Sequence, residues 1–491
     1  MPRRDGGGGA GGRRQRPAAN AAHAGPRVAD HAAAAPASRL ASRRAALGAP
    51  RLLRRRDRDA GREGRPPRPC PPLSLARPSR RGDPVTARRA DVVVVGAGPA
   101  GAATAILLAE HGLDVVVVDR AALPRPKICG EYLSPEAGRL LDRLGVLKAL
   151  DTAGAVPVAG MRITGPDGTS VVGRYHEVAG WRPYRQHAMG VARETLDGAL
   201  VERVRGLPLD LREETRVTDL IVKDGQVIGV RAEDRAQAPL EIRARIVVGA
   251  DGRASVVAQR LGCRQPHTLQ RLALVTYVRG LPDCRELGEI FVDPPDYVIL
   301  NPLAPDRVNL SLVVPLAHAT PWSRRFEDFM TARLRQLPHV ARRLAGAERI
   351  APIRALGPLA HRVTPPDAGG VLLVGDAGGF FDPFTGEGVF TALRSAELAG
   401  ETIVHALRAG DVSAPALAVY EQRRREAFRG KERVTRALQV VIGHRRLANL
   451  ACRALARRPG ALDALLGVFG DYVPPRALLA ALSGRASRTP R

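Results

Sequence analysis

The chain has 491 residues, which is enough for two or three domains of ordinary size. Its formal net charge of +27 lies at the two ends: residues 1–89 contain 22 Arg and 6 acidic residues, residues 401–491 contain 17 basic and 7 acidic residues, and residues 90–400 are close to neutral. The five cysteines include no C-x-x-C pair and the eleven histidines have no metal-ligand spacing, which argues against a disulfide framework or a zinc site and favours a reducing, cytoplasmic compartment. We therefore expect no bound metal.

Residues 1–88 are rich in Arg, Ala, Gly and Pro and poor in aromatic and β-branched residues. Such a composition buries too little apolar surface to offset the entropy lost on ordering, so we predict a disordered segment. It has no apolar h-region of a secretory signal, whereas an organelle transit peptide and coding sequence upstream of the true domain start both stay open. Arg-rich segments attract nucleic-acid phosphates, but no folded reader module accompanies this one, and we expect no specific nucleic-acid partner.

The next segment, ADVVVVGAGPAGAATAILLAEHGLDVVVVDR, begins at Ala90. Its two valine runs, Val92–Val95 and Val115–Val118, predict buried parallel strands, with a helix of small and apolar residues between them. The span Val92–Ala109 is 18 residues long without a charge, but three glycines and a proline interrupt it. A strand–turn–helix unit explains this span better than a membrane helix does, and we expect no transmembrane segment.

The turn between the first strand and the helix has the spacing Gly96-x-Gly98-x-x-Gly101. In this pattern Gly96 makes a tight turn, Gly98 lets the backbone approach a pyrophosphate, and Gly101 permits close helix–strand packing. The helix N-terminus offers free N–H groups to the phosphates. Asp119, 23 residues after Gly96, ends the second strand where it can bond ribose hydroxyls. Together these features indicate a dinucleotide site, without distinguishing FAD from NAD(P).

A single cysteine, Cys129, follows in the Pro-rich loop RPKICGEYLSPEAGRL. Three interpretations are open at this point: a redox residue, part of a loop shaped around a ligand, or a small buried residue. Lys127 stands two positions away and would lower the pKa of the thiol.

The middle of the chain alternates between helix-like and strand-like segments. A helix should begin at Arg193, with Asp197 one turn later, and an Asp224-Gly225 pair predicts a β-hairpin. Strand-like runs occupy residues 155–190 and 266–351, which we interpret as a substrate domain inserted in two pieces into a domain formed by residues 89–154, 191–265 and 352–410. Residues 411–491 should form a basic helical region.

Two later segments repeat the strand–turn–helix pattern. The first, ARIVVGADGRASVVAQRLG, has a strand at Ile246–Val248 followed by Asp251-Gly252 and a helix from about Ala254. The second, GGVLLVGDAGGFFDPFTGEGVFTALRSAELAG, has a strand at Val371–Val374, then Gly375-Asp376 and a helix that opens near Gly386. Taken alone, each segment could be an ordinary strand–turn–helix connection.

In this order and spacing the three segments resemble the FAD-dependent oxidoreductases of the p-hydroxybenzoate hydroxylase-like fold, and KICGEYLSP and DPFTGEGV look most like the geranylgeranyl reductase branch. The resemblance covers about residues 90–420. It implies an α/β fold in which a Rossmann-like FAD-binding domain carries an inserted antiparallel-sheet substrate domain and a helical C-terminus.

The resemblance also implies roles for single residues. Asp251 would lie by the FAD pyrophosphate, Asp376 would bond the ribityl chain, and the backbone near Val217 would approach the adenine. Arg193 would lie near the phosphates, although an exposed ion pair with Asp197 is the alternative. The residues predicted to bind FAD are Gly96, Gly98, Pro99, Ala100, Gly101, Asp119, Arg120, Cys129, Gly130, Arg193, Val217, Asp251, Gly375, Asp376, Gly386, Gly388 and Val389.

Two residues are candidates for the chemistry. The Gly386-Glu387-Gly388 turn would lie against the flavin ring, where the helix dipole stabilises the negative charge of reduced flavin. Glu387 is either a participant or a first-turn acid that complements the dipole. By the same resemblance the Cys129 loop borders the ring, and the thiol could protonate a substrate carbon.

The function expected from this resemblance is an FAD-dependent oxidoreductase, reduced by NAD(P)H, that acts on an apolar prenyl-like or secondary-metabolite substrate. The enzyme alternative is an FAD-dependent monooxygenase of an aromatic or polyketide substrate. A basic, non-catalytic binding protein would leave three flavin motifs unexplained.

The basic C-terminal region suggests a membrane surface as a further partner. A basic amphipathic surface suits peripheral contact with a membrane, and the alternative is packing of these helices on the FAD domain with a solvated Arg face. The apolar residues are Leu447, Leu450, Leu455, Leu462, Leu465, Leu466, Val468 and Phe469, interleaved with Arg445, Arg446, Arg453, Arg457 and Arg458.

Overall fold

The computed structural model describes residues 86–284 and 286–478. The predicted disordered segment, residues 1–88, lies outside these residues except for its last three positions, which open the first strand. The strands are β1 (Thr86–Val95), β2 (Val115–Val118), β3 (Tyr132–Leu133), β4 (Val156–Val158), β5 (Gly160–Thr164), β6 (Ser170–Arg174), β7 (Ala188–Gly190), β8 (Asp210–Arg212), β9 (Arg216–Lys223), β10 (Gln226–Glu233), β11 (Pro239–Gly249), β12 (Arg264–Pro266), β13 (Arg271–Arg279), β14 (Leu287–Asp293), β15 (Asp296–Ala304), β16 (Arg307–Pro315), β17 (Glu348–Arg349), β18 (Arg354–Leu356), β19 (His361–Val363) and β20 (Val371–Leu373).

The helices connect and cover these strands. They are α1 (Pro99–Glu110), α2 (Pro135–Arg143), α3 (Leu147–Thr152), α4 (Arg193–Arg205), α5 (Val256–Arg260), α6 (Leu316–Ala319), α7 (Phe326–Gln336), α8 (Pro338–Arg343), α9 (Gly388–Ala409), α10 (Ala414–Gly443), α11 (Arg445–Ala456) and α12 (Ala461–Phe469). Short 3₁₀ turns occur at Gly252–Ala254, Thr320–Trp322, Gly375–Gly378 and Pro475–Ala477.

The first sheet has the strand order β8-β2-β1-β11-β10-β9, with β20 beside β11. Strands β8, β2, β1, β11 and β20 are parallel, and β9 and β10 join as an antiparallel hairpin. Helices α1, α9 and α10 pack on one face of the parallel strands. On the other face, apolar side chains of these strands form one cluster with side chains of the β9–β10 hairpin and of α5. Both valine runs are therefore buried on two sides, as expected for parallel strands between layers.

The hairpin turn is where the sequence predicted it. Asp224 and Gly225 have φ angles of 50° and 75°, the left-handed pair that a tight two-residue hairpin needs.

The second sheet has the order β17-β13-β16-β15-β14-β5-β6, with β18 beside β13. Its pairs are antiparallel except for β5 and β14, which run parallel. The sheet is built from two separate stretches of chain, because β5 and β6 precede helix α4 and the other strands follow α5. Helices α7 and α8 cover one face, and the C-terminal helices cover the other.

The C-terminal helices are part of the core. Leu462, Leu466, Val468 and Phe469 are buried in one apolar cluster with residues of the second sheet. Most of the apolar set that suggested a membrane surface is thus used in packing. No helix in the described part of the chain has the length and hydropathy that crossing a bilayer requires.

Candidate functional site

The glycine loop after β1 has the geometry that its spacing predicts. Gly96 has a φ of +100°, and a Cβ there would lie 2.6 Å from the carbonyl oxygen of Ala250. A Cβ on Gly101 would lie 1.8 Å from the carbonyl oxygen of Gly96, so both positions exclude a side chain. Gly98 differs, because a Cβ there meets no atom within 4 Å. Open space at the first turn of α1 is what a phosphate group would occupy.

The three strand–turn–helix segments converge at this loop. Gly96 lies against Ala250 and Asp251 at the end of β11, and a Cβ on Gly375 would lie 2.8 Å from the Cβ of Ala100 in α1. The carboxyl ends of β1, β11 and β20 therefore meet at one edge, where ligands bind in open α/β sheets. We call the space above this edge the cofactor groove; it is bordered by Gly98, Asp119, Gly252 and Asp376.

Asp119 is bound to the glycine loop. Its Oδ2 accepts a hydrogen bond from the Ala97 amide at 2.8 Å, its Oδ1 accepts one from Ala121 at 3.0 Å, and Arg125 forms an ion pair with it at 3.0 Å. The carboxylate is buried beside the turn where the fingerprint requires an acid. The adjacent Arg120 is exposed, and Val217 is buried in β9.

The two other predicted aspartates differ in what holds them. Asp251 accepts a hydrogen bond from the Val256 amide at 2.6 Å, and its second oxygen is buried without a partner in the described chain. Burial raises the pKa of Asp251. The carboxylate of Asp376 accepts no hydrogen bond from any described residue, although Lys127 and Arg253 act on it electrostatically.

A buried glutamate, Glu131, fixes the Cys129 loop to the second sheet. Its Oε1 accepts hydrogen bonds from the Arg193 amide (2.9 Å) and the Tyr277 hydroxyl (3.0 Å), and its Oε2 accepts one from the Asn309 side chain (2.9 Å). The side-chain amide of Asn301 donates a hydrogen bond to the backbone carbonyl of Glu131 at 2.8 Å. Burial and the neighbouring Glu131 raise the pKa of Tyr277 to about 12. These hydrogen bonds tie the loop to α4 and to the second sheet.

Cys129 lies in this loop as a half-buried free thiol. The cation that the structure places beside it is Arg193, which is buried in a two-point ion pair with Asp197 (2.8 and 3.0 Å). Burial opposes the charge on Arg193, but Cys129 and Asp197 raise its pKa above the ordinary value. The ion pair that the sequence suggested is formed, and it is buried instead of exposed.

The Gly386-Glu387-Gly388 turn meets the Cys129 loop directly. Gly386 has a φ of +69°, and a Cβ there would lie 2.5 Å from the Tyr132 ring. Helix α9 begins at Gly388, with Val389 buried in its first turn. A second buried acid, Asp382, fixes this turn to β15, because it accepts hydrogen bonds from the Tyr297 hydroxyl and the Phe384 amide, both at 2.9 Å.

The side chain of Glu387 points to the C-terminal region. Its Oε1 lies 3.3 Å from the Thr435 hydroxyl and 3.6 Å from Nζ of Lys431. Lys431 also forms an ion pair with Asp471 at 2.5 Å and donates to the Phe469 carbonyl at 3.1 Å. Burial raises the pKa of Asp471 to about 7, although Lys431 opposes the shift. The two catalytic candidates thus lie on different walls, Cys129 by α4 and Glu387 by α10.

The arrangement fits FAD. Gly98, Gly130 and Gly252 leave space in which no heavy atom except Nζ of Lys127 lies within 4 Å of an added Cβ. Among the described residues, none donates a hydrogen bond to the carboxylate of Asp376, which is partly exposed. No group of His, Cys, Asp and Glu side chains in the described ranges is arranged to hold a metal ion.

Several residues of the site were missed by the sequence analysis. Asn301 and Asn309 stand inside apolar strands, YVILNPL and RVNLSLVVP, where a buried amide needs a partner, and this could have marked them. No local pattern marks Glu131, Lys431 or Asp471, because their partners are 38 to 178 residues away.

Comparisons with known proteins agree with this geometry. The family described as FAD binding domain matches residues 89–435. A digeranylgeranylglycerophospholipid reductase of Methanothrix thermoacetophila is 31% identical over 356 residues, covering 70% of this chain and 85% of that protein.

Two solved structures share the fold. A flavin-dependent brominase, Bmp2, has a TM-score of 0.69 at 20% identity over 82% of this chain and 100% of its own. A geranylgeranyl bacteriochlorophyll reductase-like protein of Thermoplasma acidophilum has a TM-score of 0.61 at 21% identity over 81% of this chain and 96% of its own. The predicted fold class is confirmed, and the chain belongs to the FAD binding domain family of flavoprotein oxidoreductases, with the geranylgeranyl reductases among its relatives.

Proposed function

We propose that this protein is an FAD-dependent reductase that saturates a carbon–carbon double bond of an apolar, prenyl-like substrate, with NAD(P)H as the electron donor. The observation that carries the proposal is the contact between Tyr132 and Gly386, which joins the Cys-Gly-Glu loop to the Gly-Glu-Gly turn. These two motifs carry the reductase resemblance. The 31% identical relative, which is named digeranylgeranylglycerophospholipid reductase, supports the same conclusion.

An apolar cluster beside the two loops supports an apolar substrate. Ile128 of the first loop, Phe384 of the second and Leu438 of α10 all pack in the same cluster, together with the inner face of the second sheet. A prenyl chain gains free energy from contact with such a surface, at about 25 cal/mol per Å² of apolar area removed from water.

Different residues of this chain would hold the cofactor and supply the proton for the reaction. Gly98, Asp119 and Asp376 would hold the cofactor, and FAD bound there would supply hydride chemistry. Saturating a double bond also needs a proton, and two groups could hold one. They are the half-buried Cys129 thiol and the buried Asp471 carboxyl, whose raised pKa keeps it partly protonated near neutrality. Lys431 holds Glu387 and Asp471 together through its two contacts.

Two measurements test the proposal. The purified protein should be yellow with flavin absorption bands, and a colourless protein that does not take up FAD would overturn the assignment as a flavoenzyme. NAD(P)H consumption is then followed with and without O₂ against a panel of prenyl and phenolic compounds. Consumption without O₂, with a product that gains two hydrogens, is the expected result.

A flavin-dependent monooxygenase is the second candidate, and its outcome in the same assay is different. It would consume NAD(P)H only with O₂ and would add an oxygen atom to the substrate. That result, obtained with a phenolic compound, would replace the reductase proposal and leave the cofactor assignment intact.

A further inference from the structure

A cavity of about 160 Å³ lies between the Cys129 loop, the start of α4 and the second sheet. The loop forms one wall, the first turn of α4 forms another, and β13, β16 and β18 of the second sheet form the rest. We call it the junction cavity. Its lining contains four cationic side chains: Lys127, Arg193, Arg307 and Arg354.

Three of these cations have no carboxylate partner in the described structure. Arg193 is neutralised by Asp197, but Lys127, Arg307 and Arg354 take part in no ion pair with a described residue. Arg307 instead stacks on the Tyr277 ring, with its Cζ 4.2 Å from the ring centroid. Other arginines of the second sheet and its helices do pair with acids: Arg279, Arg333, Arg343 and Arg349 each form an ion pair.

Two carboxylates also line the cavity, and they leave the positive charge in excess. Glu131 is saturated by its three donors, and Glu194 is exposed on the first turn of α4. Burial and the Arg193 charge lower the pKa of Lys127, although Asp376 and Asp197 oppose the shift. A cation in this state gains from an added anion. The aligned peptide dipoles of α4 place partial positive charge at its N-terminus, and the cap residue, Ala192, offers no side-chain acceptor there.

The cavity adjoins the cofactor groove. Nζ of Lys127 lies 3.7 Å from the position of a Cβ on Gly252, which borders that groove, while the same residue lines the cavity. An anion held here would stand within reach of the site of reaction. The volume is below the ~300–1,000 Å³ typical of pockets for whole ligands, so it suits one end of a larger molecule.

We propose that the junction cavity binds the phosphoryl group of a reactant, through Arg307, Arg354 and Lys127, and so orients that reactant toward the cofactor groove. Planar guanidinium groups match phosphoryl oxygens in two-point geometry, and hydrogen bonds between two charged groups are stronger than those between neutral groups. Two reactants could supply the group: the diphosphate of a nicotinamide dinucleotide and the head group of a prenyl phosphate. This inference rests on the proposed function, whose reactants it describes.

The test uses the FAD-loaded full chain and inorganic pyrophosphate as the probe, measured by titration calorimetry. Arg307→Gln and Arg354→Gln should each weaken pyrophosphate binding about tenfold, the loss expected for one charge-assisted contact. Glu194→Gln should tighten it, because a repelling charge is removed. Arg279→Gln is the matched control, since Arg279 lies at the outer end of β13 and pairs with Glu348.

Reactant assays then identify the source of the phosphoryl group. A rise in the KM for NADPH in the Arg307→Gln and Arg354→Gln proteins would assign the cavity to the electron donor. A rise in the KM for a prenyl diphosphate, with none for the prenyl alcohol, would assign it to the substrate. Either outcome supports the proposal.

Three results would overturn it: pyrophosphate binding that neither variant changes, an equal loss in Arg279→Gln, or loss of bound FAD in both variants, which would assign the cavity to the cofactor. If dithionite still reduces the bound flavin and NAD(P)H is still consumed, the proposed function holds even though the proposal for the cavity has failed.

Discussion

Three carboxylates border or approach the cofactor groove, and each has a different set of partners. Asp119 is held by backbone amides and Arg125, and Glu131 by side chains of the second sheet. Asp376 accepts no hydrogen bond from the residues that the structure describes. Because a partly buried carboxylate is costly without donors, Asp376 is the acid whose surroundings a bound ligand would complete.

Asp376→Ala should weaken FAD binding by about 1.5–3 kcal/mol, the range for hydrogen bonds to a charged group, which is roughly a tenfold to hundredfold loss of affinity. Flavin fluorescence titration of the deflavinated protein measures this. Asp367→Ala, an exposed acid before β20, is the control. Glu387→Gln should change turnover more than FAD affinity. An Asp376→Ala protein that holds FAD like its parent would show that the Gly375-Asp376 assignment is wrong.

The raised pKa of Asp471 predicts a pH dependence of stability. Burial raises this pKa from 3.8 to about 7, so the folded state binds more protons than the unfolded state between these values. The free energy of unfolding should therefore fall as pH rises through this window and level off above it. Between about pH 5 and pH 7 the fall is up to roughly 2–3 kcal/mol, at 1.4 kcal/mol for each unit.

Urea denaturation of Asp471→Asn over this pH range tests the assignment, because the variant should lose this part of the slope. Asp367→Asn should keep it. Equal slopes in the parent protein and in Asp471→Asn would mean that Asp471 titrates normally in the folded state.

Two loops and one sheet form the site at the level of secondary structure. The Cys129 loop and the Gly386 turn each carry a buried acid, Glu131 and Asp382, that strands of the second sheet hold in place. The sheet thus determines the spacing of both loops from the groove, and the loops contact each other through Tyr132 and Gly386.

Gly386→Ala should separate these two loops. The substitution brings a Cβ within 2.5 Å of the Tyr132 ring at a φ of +69°, where an L side chain is strained. Overpacking and backbone strain should together cost about 1–3 kcal/mol of stability and lower FAD occupancy. Gly443→Ala is the matched control, because a Cβ there meets no atom within 4 Å. Thermal unfolding that is the same for both variants would contradict the predicted contact.

At the level of the whole molecule, the basic C-terminal region serves mainly as packing. Arg445 and Arg453 pair with Asp293 and Asp167, so part of its positive charge is used within the fold. Two leucines of α11 are different, because Leu447 is 40% exposed and Leu450 is 62% exposed. Of the apolar residues predicted to face a membrane, these two leucines remain exposed, and Arg446 lies beside them in the chain.

If these leucines contact lipid, the full chain should co-sediment with anionic liposomes at low salt and dissociate as salt is raised. The double variant Leu447→Ser/Leu450→Ser should bind more weakly. Val172→Ser, which removes an exposed apolar residue of β6, should not. A chain that fails to bind at low salt would show that peripheral membrane contact is absent.

The sequence by itself determined the elements whose signals are local. The valine runs, the glycine spacing and the Asp-Gly pair each favour one backbone conformation within a few residues. All three predicted elements are present in the structure at the predicted positions. The order of the strand–turn–helix segments was enough to predict the flavoprotein fold, because carboxyl ends of parallel strands share one edge of the sheet.

Tertiary structure alone decided what surrounds the catalytic candidates. Whether Glu387 meets Lys431, or Glu131 meets Asn309, depends on how the second sheet and α10 pack, and no local pattern encodes contacts between residues 44 or 178 positions apart. The same is true of the apolar C-terminal residues, whose period is that of any amphipathic helix. Burial against the second sheet, and not the period, decided that most of them belong to the core.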